Sequence, residues 1–463
     1  MSNNQQKDNK NSKQTNLTTG PITNKLLQLA LPIMLSSFLA TAYNITDMFW
    51  IGKLGSKAVA GIGVGGMYVW LSGGLCSLTR VGAQVSTAWE IGRNNKTEAK
   101  KYITEAIKLV TLLGFIYGLI SIFFADFMIS IFGVTDAETF LHGKIYLQIA
   151  CGAIIFSYLI NVITGIYTAW GDSLTPLFVN FVGLIMNMIL DPLLIHGYGI
   201  FPRLESAGAA IATVSAQAFA VLLFIIDIKR DKPSTNLLNG NTYFAPFKKS
   251  YVLKIIKIGG PIAIQSSLYC CISMVLTKFI TVFGAAALAV QKVGGQIESI
   301  SWNMADGFGS AANTFSAQNY GAGKMERVKK GYKISALIVL IWGIIVSLLF
   351  ILFPEFISKM FFYEKDAINV SINYLIIVGL SEPFMCVELL AIGAISGLGN
   401  TKLCSTISII FTSIRIPLAY FLMTNGLDVN GIWWALTISS ILKGIILHFA
   451  FLQQCKKHVK NSN

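Results

Sequence analysis

The chain carries little charge for its length. Only 13% of its 463 residues are Asp, Glu, Lys or Arg, whereas soluble domains carry about 25%. Hydrophobic residues make up 54% of the sequence and recur in long runs along its whole length. This composition argues against a soluble enzyme with a large core and predicts a polytopic membrane protein.

Histidine and cysteine are also scarce, and they lack the spacing of a metal or disulfide site. The four His and seven Cys form no CxxC pair and no Cys/His cluster, so neither a metal centre nor a disulfide framework is indicated. No Walker motif occurs, which argues against an ATP-driven pump. No cluster of His, Asp or Ser indicates a catalytic centre. We therefore expect a protein that is not an enzyme and needs no cofactor.

The apolar runs predict the fold class. About twelve segments, each of roughly 20 residues, are long enough to span a bilayer as helices. They lie near residues 26–50, 58–80, 103–124, 145–168, 174–196, 207–228, 254–280, 286–310, 332–353, 368–396, 403–423 and 431–452. We expect an all-α polytopic membrane protein with about 12 transmembrane helices, and the lipid bilayer as its main partner.

The formal net charge of +14 predicts the orientation of these spans. The basic residues sit in short connections between apolar runs, so a topological role is favoured and a nucleic-acid partner is not. Basic connections lie at 93–101, 229–249, 324–330 and 456–460, all on the side of the N-terminal tail. The positive-inside rule therefore predicts that both termini are cytoplasmic.

The two halves of the chain repeat each other. An offset of 229 residues places Pro32 on Pro261, and it aligns "GSKAVAGIGVGG" (55–66) with "GAAALAVQKVGG" (284–295) at six identical positions. Later in the chain the offset is 228, which aligns "TAWGDS" (168–173) with "SGLGNT" (396–401). An even number of spans in each repeat gives both lobes the same orientation, so the repeat is parallel. The predicted organisation is a disordered cytoplasmic tail (1–24), an N-lobe of helices 1–6 (25–228), a cytoplasmic linker (229–253), a C-lobe of helices 7–12 (254–453) and a cytoplasmic C-terminal tail (454–463).

Several strings resemble the multidrug and toxic compound extrusion (MATE) family of bacterial transporters. "ALPIMLSSFLATAYNITDMFWIGKLGSKAVAGIGVG" resembles the first-helix signature, and "TAWGDSLTPLFVNFVGLIMNMILDPLLI" resembles the connection between the fourth and fifth helices. "GAQVSTAWEIGRNNKTEAKK" and "SAANTFSAQNYGAGKMERVKKG" resemble the paired cytoplasmic ends of the second and eighth helices. The resemblance covers nearly the whole chain and implies twelve helices in two lobes.

Two acids stand inside apolar spans of the first repeat. Asp47 follows Tyr43 by four residues, and Asp191 follows Asn187 by four, so each pair shares a helix face. An acid within a membrane span is a functional-site hypothesis by default. The repeat offers a test of a purely architectural role, because Asp47 aligns with Leu276, Asn187 with Arg415 and Asp191 with Ala419.

Oxygen ligands suit a hard cation, and desolvated carboxylates can carry a proton. The resemblance implies a first-lobe cation site at Asp47, Asn187, Asp191 and Thr213, with Na⁺ as a possible ligand. Asn161 resembles another first-lobe polar position, although an Asn that only bonds its neighbours is the other interpretation. Helix–helix hydrogen bonding is the structural alternative for the two acids.

Other residues are candidates for substrate contact or gating. Pro32 permits a kink in the first span, although Pro261 stands at the same place without nearby acids. Tyr43 is a candidate to line a cleft that takes flat cations. Glu298 and Glu388 are candidates to attract a cationic substrate, and either is a candidate partner for Arg415; structural pairing is the alternative for all three.

The resemblance implies a secondary active antiporter. Such a protein exports amphiphilic, often cationic, organic compounds in exchange for Na⁺ or H⁺ by alternating access. The alternative is a lipid-linked oligosaccharide flippase of related fold. We expect a monomer that binds small organic molecules in the bacterial cytoplasmic membrane.

Overall fold

The computed structural model describes residues 15–199, 201–230, 237–240, 243 and 245–460. Within these ranges the chain forms helices joined by short turns, and no strand occurs. In a bilayer every backbone polar group must be satisfied internally, and an α-helix does so within one segment. The predicted N-terminal tail before residue 15, much of the predicted linker and the last three residues of the C-terminal tail lie outside the described residues.

Each repeat contains a series of helices. Those of the first repeat are α1 (Ile22–Gly52), α2 (Ser56–Gly92), α3 (Lys96–Phe123), α4 (Ala125–Ser130), α5 (Ala137–Ala150), α6 (Ile155–Trp170), α7 (Leu174–His196) and α8 (Glu205–Arg230). Those of the second repeat are α9 (Lys249–Thr281), α10 (Ala285–Gly321), α11 (Met325–Leu352), α12 (Pro354–Phe361), α13 (Lys365–Gly379), α14 (Glu382–Gly397), α15 (Thr401–Ser413), α16 (Arg415–Leu422) and α17 (Asp428–Lys460).

The helix bounds reproduce the repeat. Helices α2 and α10 both have 37 residues, and helices α3 and α11 both have 28 residues. The offset that places Pro32 on Pro261 also places both ends of α2 on those of α10, and both ends of α3 on those of α11. The all-α fold built on an internal repeat is therefore confirmed.

Eight helices in the described residues are long and apolar enough to cross a membrane, or ten spans if each of two bent pairs is one span. The bent pairs are α5 with α6 and α13 with α14, each bent by 49°. The stretch 401–457 is counted as one span, although the backbone at Asn425 and Gly426 within it has non-helical φ and ψ angles. Helix α10 is 37 residues long, but its polar composition keeps it out of this set. These two features account for the difference from about twelve spans.

The chain forms two compact units, and two helices contribute to both. The first unit takes in the described residues up to Asn16 and Leu35–Ala263, and the second takes in Leu17–Met34 and the chain from Ile264 onward. Helix α1 therefore changes unit after Met34, and helix α9 changes unit after Ala263. The units differ from the predicted lobes in how they assign the first helix of each repeat.

Close helix contacts in each unit follow from small residues. In the first unit, a Cβ at Gly259 in α9 would stand 1.7 Å from the Leu78 carbonyl oxygen of α2. In the second unit, a Cβ at Gly307 in α10 would stand 2.5 Å from the side chain of Met34 in α1. Glycine lets the two backbones approach at each of these crossings.

Each unit also has its own aromatic core. Tyr158 and Phe224 belong to the largest apolar cluster of the first unit, and Tyr374 packs edge-on against Trp433 in the second, with ring centroids 5.1 Å apart. The cluster of the first unit includes residues of α7 and α8, two of the helices that carry polar side chains.

Candidate functional site

The polar residues predicted in the first repeat lie on three helices of the first unit. Helix α1 carries Tyr43 and Asp47, helix α7 carries Asn187 and Asp191, and helix α8 carries Thr213. The spacing of four residues puts the members of each pair on one helix face. Asp191 immediately precedes Pro192, which lies inside α7 and offers no backbone N–H to the helix.

One hydrogen bond joins two of these helices, and charge interactions relate the third to them. The Tyr43 hydroxyl lies 2.8 Å from the Thr213 Oγ1, which links α1 to α8. The Asn187 Nδ2 donates to the Asp191 Oδ1 at 3.3 Å within α7. Tyr43 lies close enough to Asp47 and Asp191 to interact with their charge, and Asp47 and Asp191 interact with each other. The fold thus brings the five side chains into one cluster.

The cluster holds polar atoms that no other described group satisfies. Asp47 Oδ1, Asn187 Oδ1 and Asp191 Oδ2 are buried and have no hydrogen-bond partner among the described residues. The side chains of Asn187 and Asp191 are only 2% and 0% exposed. Buried polar atoms normally find partners, so three unpartnered acceptors in one place call for an explanation. A hard cation or a proton satisfies such oxygens.

The donor set of the cluster indicates which kind of ligand it suits. No group of three or more His, Cys, Asp or Glu suited to a metal ion occurs in the part of the chain that the structure describes. The cluster offers oxygen acceptors only, which suit a hard cation rather than a metal that prefers thiolate or imidazole ligands. Tyr146 on α5 also lies within electrostatic reach of Asp47 and Asp191. The sequence reasoning missed Tyr146, because nothing marks it among the other aromatics of the chain.

Two other predicted residues of the first repeat lie apart from these contacts. Asn161 stands on an exposed face of α6, where its Nδ2 donates to the Ser157 carbonyl oxygen at 2.9 Å. That bond stays within one helix, as the structural interpretation of Asn161 predicts. Pro32 lies inside α1, two residues before the helix passes from the second unit to the first.

The predicted charged residues of the second repeat lie in the second unit, where Glu388 and Arg415 are buried and Glu298 is half-buried. The Tyr374 hydroxyl donates to the Glu298 Oε2 at 3.2 Å. The Lys443 Nζ donates to the Glu388 Oε1 at 2.6 Å, and both side chains are nearly inaccessible. Burial of an ion pair demands this close geometry, because an uncompensated charge in the interior is costly.

Neither Glu298 nor Glu388 forms an ion pair with Arg415 in the described residues, although the Arg415 charge acts on Glu298. Arg415 donates through Nε to Ser439 Oγ and through Nη2 to Ser440 Oγ, each at 3.0 Å. Lys443 sits one helical turn beyond these serines on α17 and takes Glu388 instead. The competing lysine decided the pairing, and the sequence reasoning had not considered it.

Sequence reasoning also missed Glu382 and Lys443. Glu382 is 1% exposed, and neither of its carboxyl oxygens has a hydrogen-bond partner among the described residues. Both residues are charged positions within or beside an apolar run, "SEPFMCVELL" and "ISSILKGIILHF". The signal that identified Asp47 and Asp191 was therefore present at these two positions as well.

Comparisons with known proteins agree with the repeat and the fold. A family model described as MatE matches residues 32–193 and 261–421. The chain is 26% identical over 436 residues to "Probable multidrug resistance protein NorM" of Thermotoga maritima, covering 93% of this chain and 92% of that protein. It is 23% identical over 444 residues to the "FAD transporter" of Shewanella oneidensis, covering 95% and 96% of the two chains.

A solved structure has the same fold. The "Crystal structure of MATE in the straight conformation" superposes with a TM-score of 0.87 at 20% identity and covers 96% of this chain and 98% of that chain. The family model covers most of both repeats, and its relatives are transporters rather than enzymes. This chain is a multi-pass membrane transporter that belongs to the MatE family of multidrug efflux proteins.

Proposed function

We propose that this transporter is a secondary active antiporter driven by Na⁺ or H⁺, with the coupling site at Asp47, Asn187, Asp191 and Thr213. The observation that carries the proposal is the set of buried oxygens of Asp47, Asn187 and Asp191 that lack a hydrogen-bond partner among the described residues. A bound cation or proton supplies the missing partner and neutralises part of the buried charge.

The same site gives a physical basis for alternating access. A ligand shifts a conformational equilibrium only by its differential affinity for the two states. Asp47 lies on α1, whereas Asn187 and Asp191 lie on α7 and Thr213 on α8, so any change in the position of α1 alters the distances between the ligands. A state with all four groups close together binds the ion more tightly than a state with α1 displaced. Pro32 has no backbone N–H to donate within α1, and it is the proposed bend.

The proposed cargo is a small organic compound that is amphiphilic and often cationic. The relatives described as multidrug resistance proteins support this class, and another relative is described as an FAD transporter. Glu298 and Glu388 are the proposed groups that attract cationic cargo, with Arg415 nearby in the second unit. The proposed setting is the bacterial cytoplasmic membrane, with both termini cytoplasmic and a monomeric protein.

The proposal is tested by transport of ethidium in proteoliposomes under a Na⁺ gradient or a pH gradient, applied separately. We expect one gradient to drive transport by the wild type, and we expect Asp191→Asn to abolish it while the protein stays folded. Asp126→Asn is the matched control, because Asp126 is 65% exposed and pairs with Lys144.

Two results would count against the proposal. Coupled transport that survives in Asp191→Asn moves the coupling site to another acid, with Glu298 and Glu388 as the first candidates. If neither gradient drives transport by the wild type, drug antiport fails, and assays of lipid-linked oligosaccharide flipping become the next measurement.

A further inference from the structure

The segment that leads into α1 is bound tightly to the second unit. We call residues 17–19 the N-terminal strap. Leu17 is fully buried, and its carbonyl oxygen accepts hydrogen bonds from Asn319 Nδ2 at 3.2 Å and from Arg327 Nε at 3.1 Å. Asn319 is the third-last residue of α10 and Arg327 the third of α11, so both donors flank one turn of the second unit.

Every carbonyl of the strap is held by a side chain. Arg327 donates through Nη2 to the Thr19 oxygen at 3.0 Å, and Lys324 Nζ donates to the Thr18 oxygen at 3.0 Å. The Arg327 guanidinium also lies 5.5 Å from the centre of the Phe315 ring. Hydrogen bonds from charged donors are stronger than neutral ones, and the planar guanidinium fixes two carbonyls at once.

The strap passes directly into α1. Gly20 has a φ of 78°, which glycine adopts at little cost. Pro21 follows with a fixed φ, and α1 begins at Ile22. The chain has little freedom over these residues, so an anchored strap also positions the first turns of the helix.

The second repeat has an equivalent arrangement. Residues 245–248, the linker strap, lead into α9 and are bound within the first unit. Lys108 Nζ donates to the carbonyl oxygens of Ala245 and Pro246 at 3.1 and 3.2 Å. Glu105 Oε2 accepts from the Lys248 backbone N–H at 3.1 Å, and Lys108 and Glu105 themselves form a buried ion pair.

The two straps correspond under the repeat, but their side chains do not. The offset between the repeats places Leu17 on Pro246 and α3 on α11. Arg327 and Asn319 bind one strap, whereas Lys108 and Glu105 bind the other. The two repeats thus bind the equivalent stretch of backbone with different side chains. This indicates that both repeats require the strap to be anchored, and that the identity of the anchoring residues matters less.

Helix α1 then connects this anchor to the proposed ion site. Its first part, up to Met34, belongs to the second unit, and its remainder, with Tyr43 and Asp47, belongs to the first unit. Pro32 stands next to the change. We propose that Arg327, with Asn319 and Leu17, is a positioning group that fixes the first part of α1 to the second unit. Ion binding at Asp47 is thereby transmitted along α1 to that unit, an inference that rests on the proposed function.

The test is hydrogen–deuterium exchange of the full-length protein in lipid nanodiscs, with and without Na⁺ at constant pH and, separately, at two pH values with correction for the intrinsic exchange rate. Na⁺ and H⁺ are thus each tested as the driving cation. In the wild type we expect the cation to slow exchange in peptides covering 35–52 and, severalfold, in peptides covering 17–34. In Arg327→Ala we expect residues 17–34 to exchange roughly tenfold faster. The cation should no longer change exchange in residues 17–34, while 35–52 should still respond to it.

Three variants control this experiment. Arg327→Lys retains one cationic donor and should restore part of the response. Thr19→Ala should behave as wild type, because the Thr19 side chain is exposed and only its carbonyl contacts Arg327. Leu17→Ser weakens the same anchor by removing its buried apolar side chain, and it should have the same effect on exchange as Arg327→Ala. Unchanged exchange in peptides from α14 and α17, which carry none of the substitutions, shows that the variants are folded.

The outcomes separate this inference from the proposed ion site. A wild-type response in 35–52 without one in 17–34 overturns the anchor, and so does a normal response of 17–34 in Arg327→Ala. If the cation changes exchange in neither segment of the wild type, the proposed ion site is wrong, and the transmission inferred from it falls as well.

Discussion

Three positions that are polar in the first repeat are apolar at the equivalent places of the second repeat. Tyr43 and Asp47 on α1 and Asp191 on α7 correspond to Ile272, Leu276 and Ala419. The latter three pack together in one hydrophobic cluster of the second unit, with Leu276 only 4% exposed. One helical framework therefore accommodates either set of side chains. The acids of the first repeat are not needed to build it, which supports a role in ion coupling.

The polar and apolar sets of side chains also differ in their effect on stability. An uncompensated carboxylate in a low-dielectric interior is destabilising, whereas aliphatic side chains of similar volume pack favourably. The second unit has buried acids too, but one of them, Glu388, is compensated by Lys443 at 2.6 Å. No salt bridge to Asp47 or Asp191 occurs among the described residues. The compensating charge of the first unit is therefore proposed to be the transported ion.

The largest effect is expected when the two acids of the first repeat are replaced by the side chains of the second. Asp47→Leu combined with Asp191→Ala should reduce coupled transport to below about 1% of the wild-type rate, because no differential ion affinity remains to drive the cycle. The melting temperature in detergent should stay equal or rise, since two desolvated acids are removed. Transport that persists, or a protein that no longer folds, would show that the acids serve another purpose.

The reverse exchange should damage the second unit. Leu276→Asp places a carboxylate in a packed apolar cluster without a partner, and it should destabilise the protein by about 3–5 kcal/mol. Leu276→Met is the control, because a volume-conserving hydrophobic change costs less than about 1.5 kcal/mol. Thermal unfolding in detergent measures both. Equal melting temperatures for the two variants would mean that this site tolerates charge as readily as its counterpart.

The smallest effect concerns the hydrogen bond between α1 and α8. Tyr43→Phe removes the 2.8 Å contact with Thr213, which is worth about 1 kcal/mol. We expect the apparent affinity for the driving cation to fall roughly fivefold, since the Thr213 hydroxyl loses its orientation. The half-saturating concentration of substrate should not change. In a double-mutant cycle with Thr213→Val the two effects should not add, and full additivity would contradict a shared contact.

Much of the architecture could be predicted from local pattern. The apolar runs indicated where helices occur, because a span must bury its backbone polar groups within itself. The internal repeat anticipated the equal lengths of α2 and α10. Bends were harder to predict, because those between α5 and α6 and between α13 and α14 divide two apolar runs that the sequence analysis treats as single spans.

In the candidate site, too, some features could be predicted from the sequence and others could not. Asp47 and Asp191 stand out in sequence, because acids are costly in an apolar run. Their partners do not stand out: Tyr43 meets Thr213 across 170 residues, and Glu388 pairs with Lys443 across 55 residues rather than with Arg415. A pairing of this kind depends on which side chains of different helices reach the same point, and helical spacing within one segment carries no information about it.

The sequence alone determined the helical class, the duplicated framework and the position of acids in the first repeat, because these depend on composition and on periods within one segment. The tertiary structure decided which unit each half of α1 and α9 joins, which basic side chains hold the straps, and which polar atoms remain without partners. Those features arise from contacts between residues far apart in the chain, where close packing and the cost of unpaired buried charge select one arrangement among many.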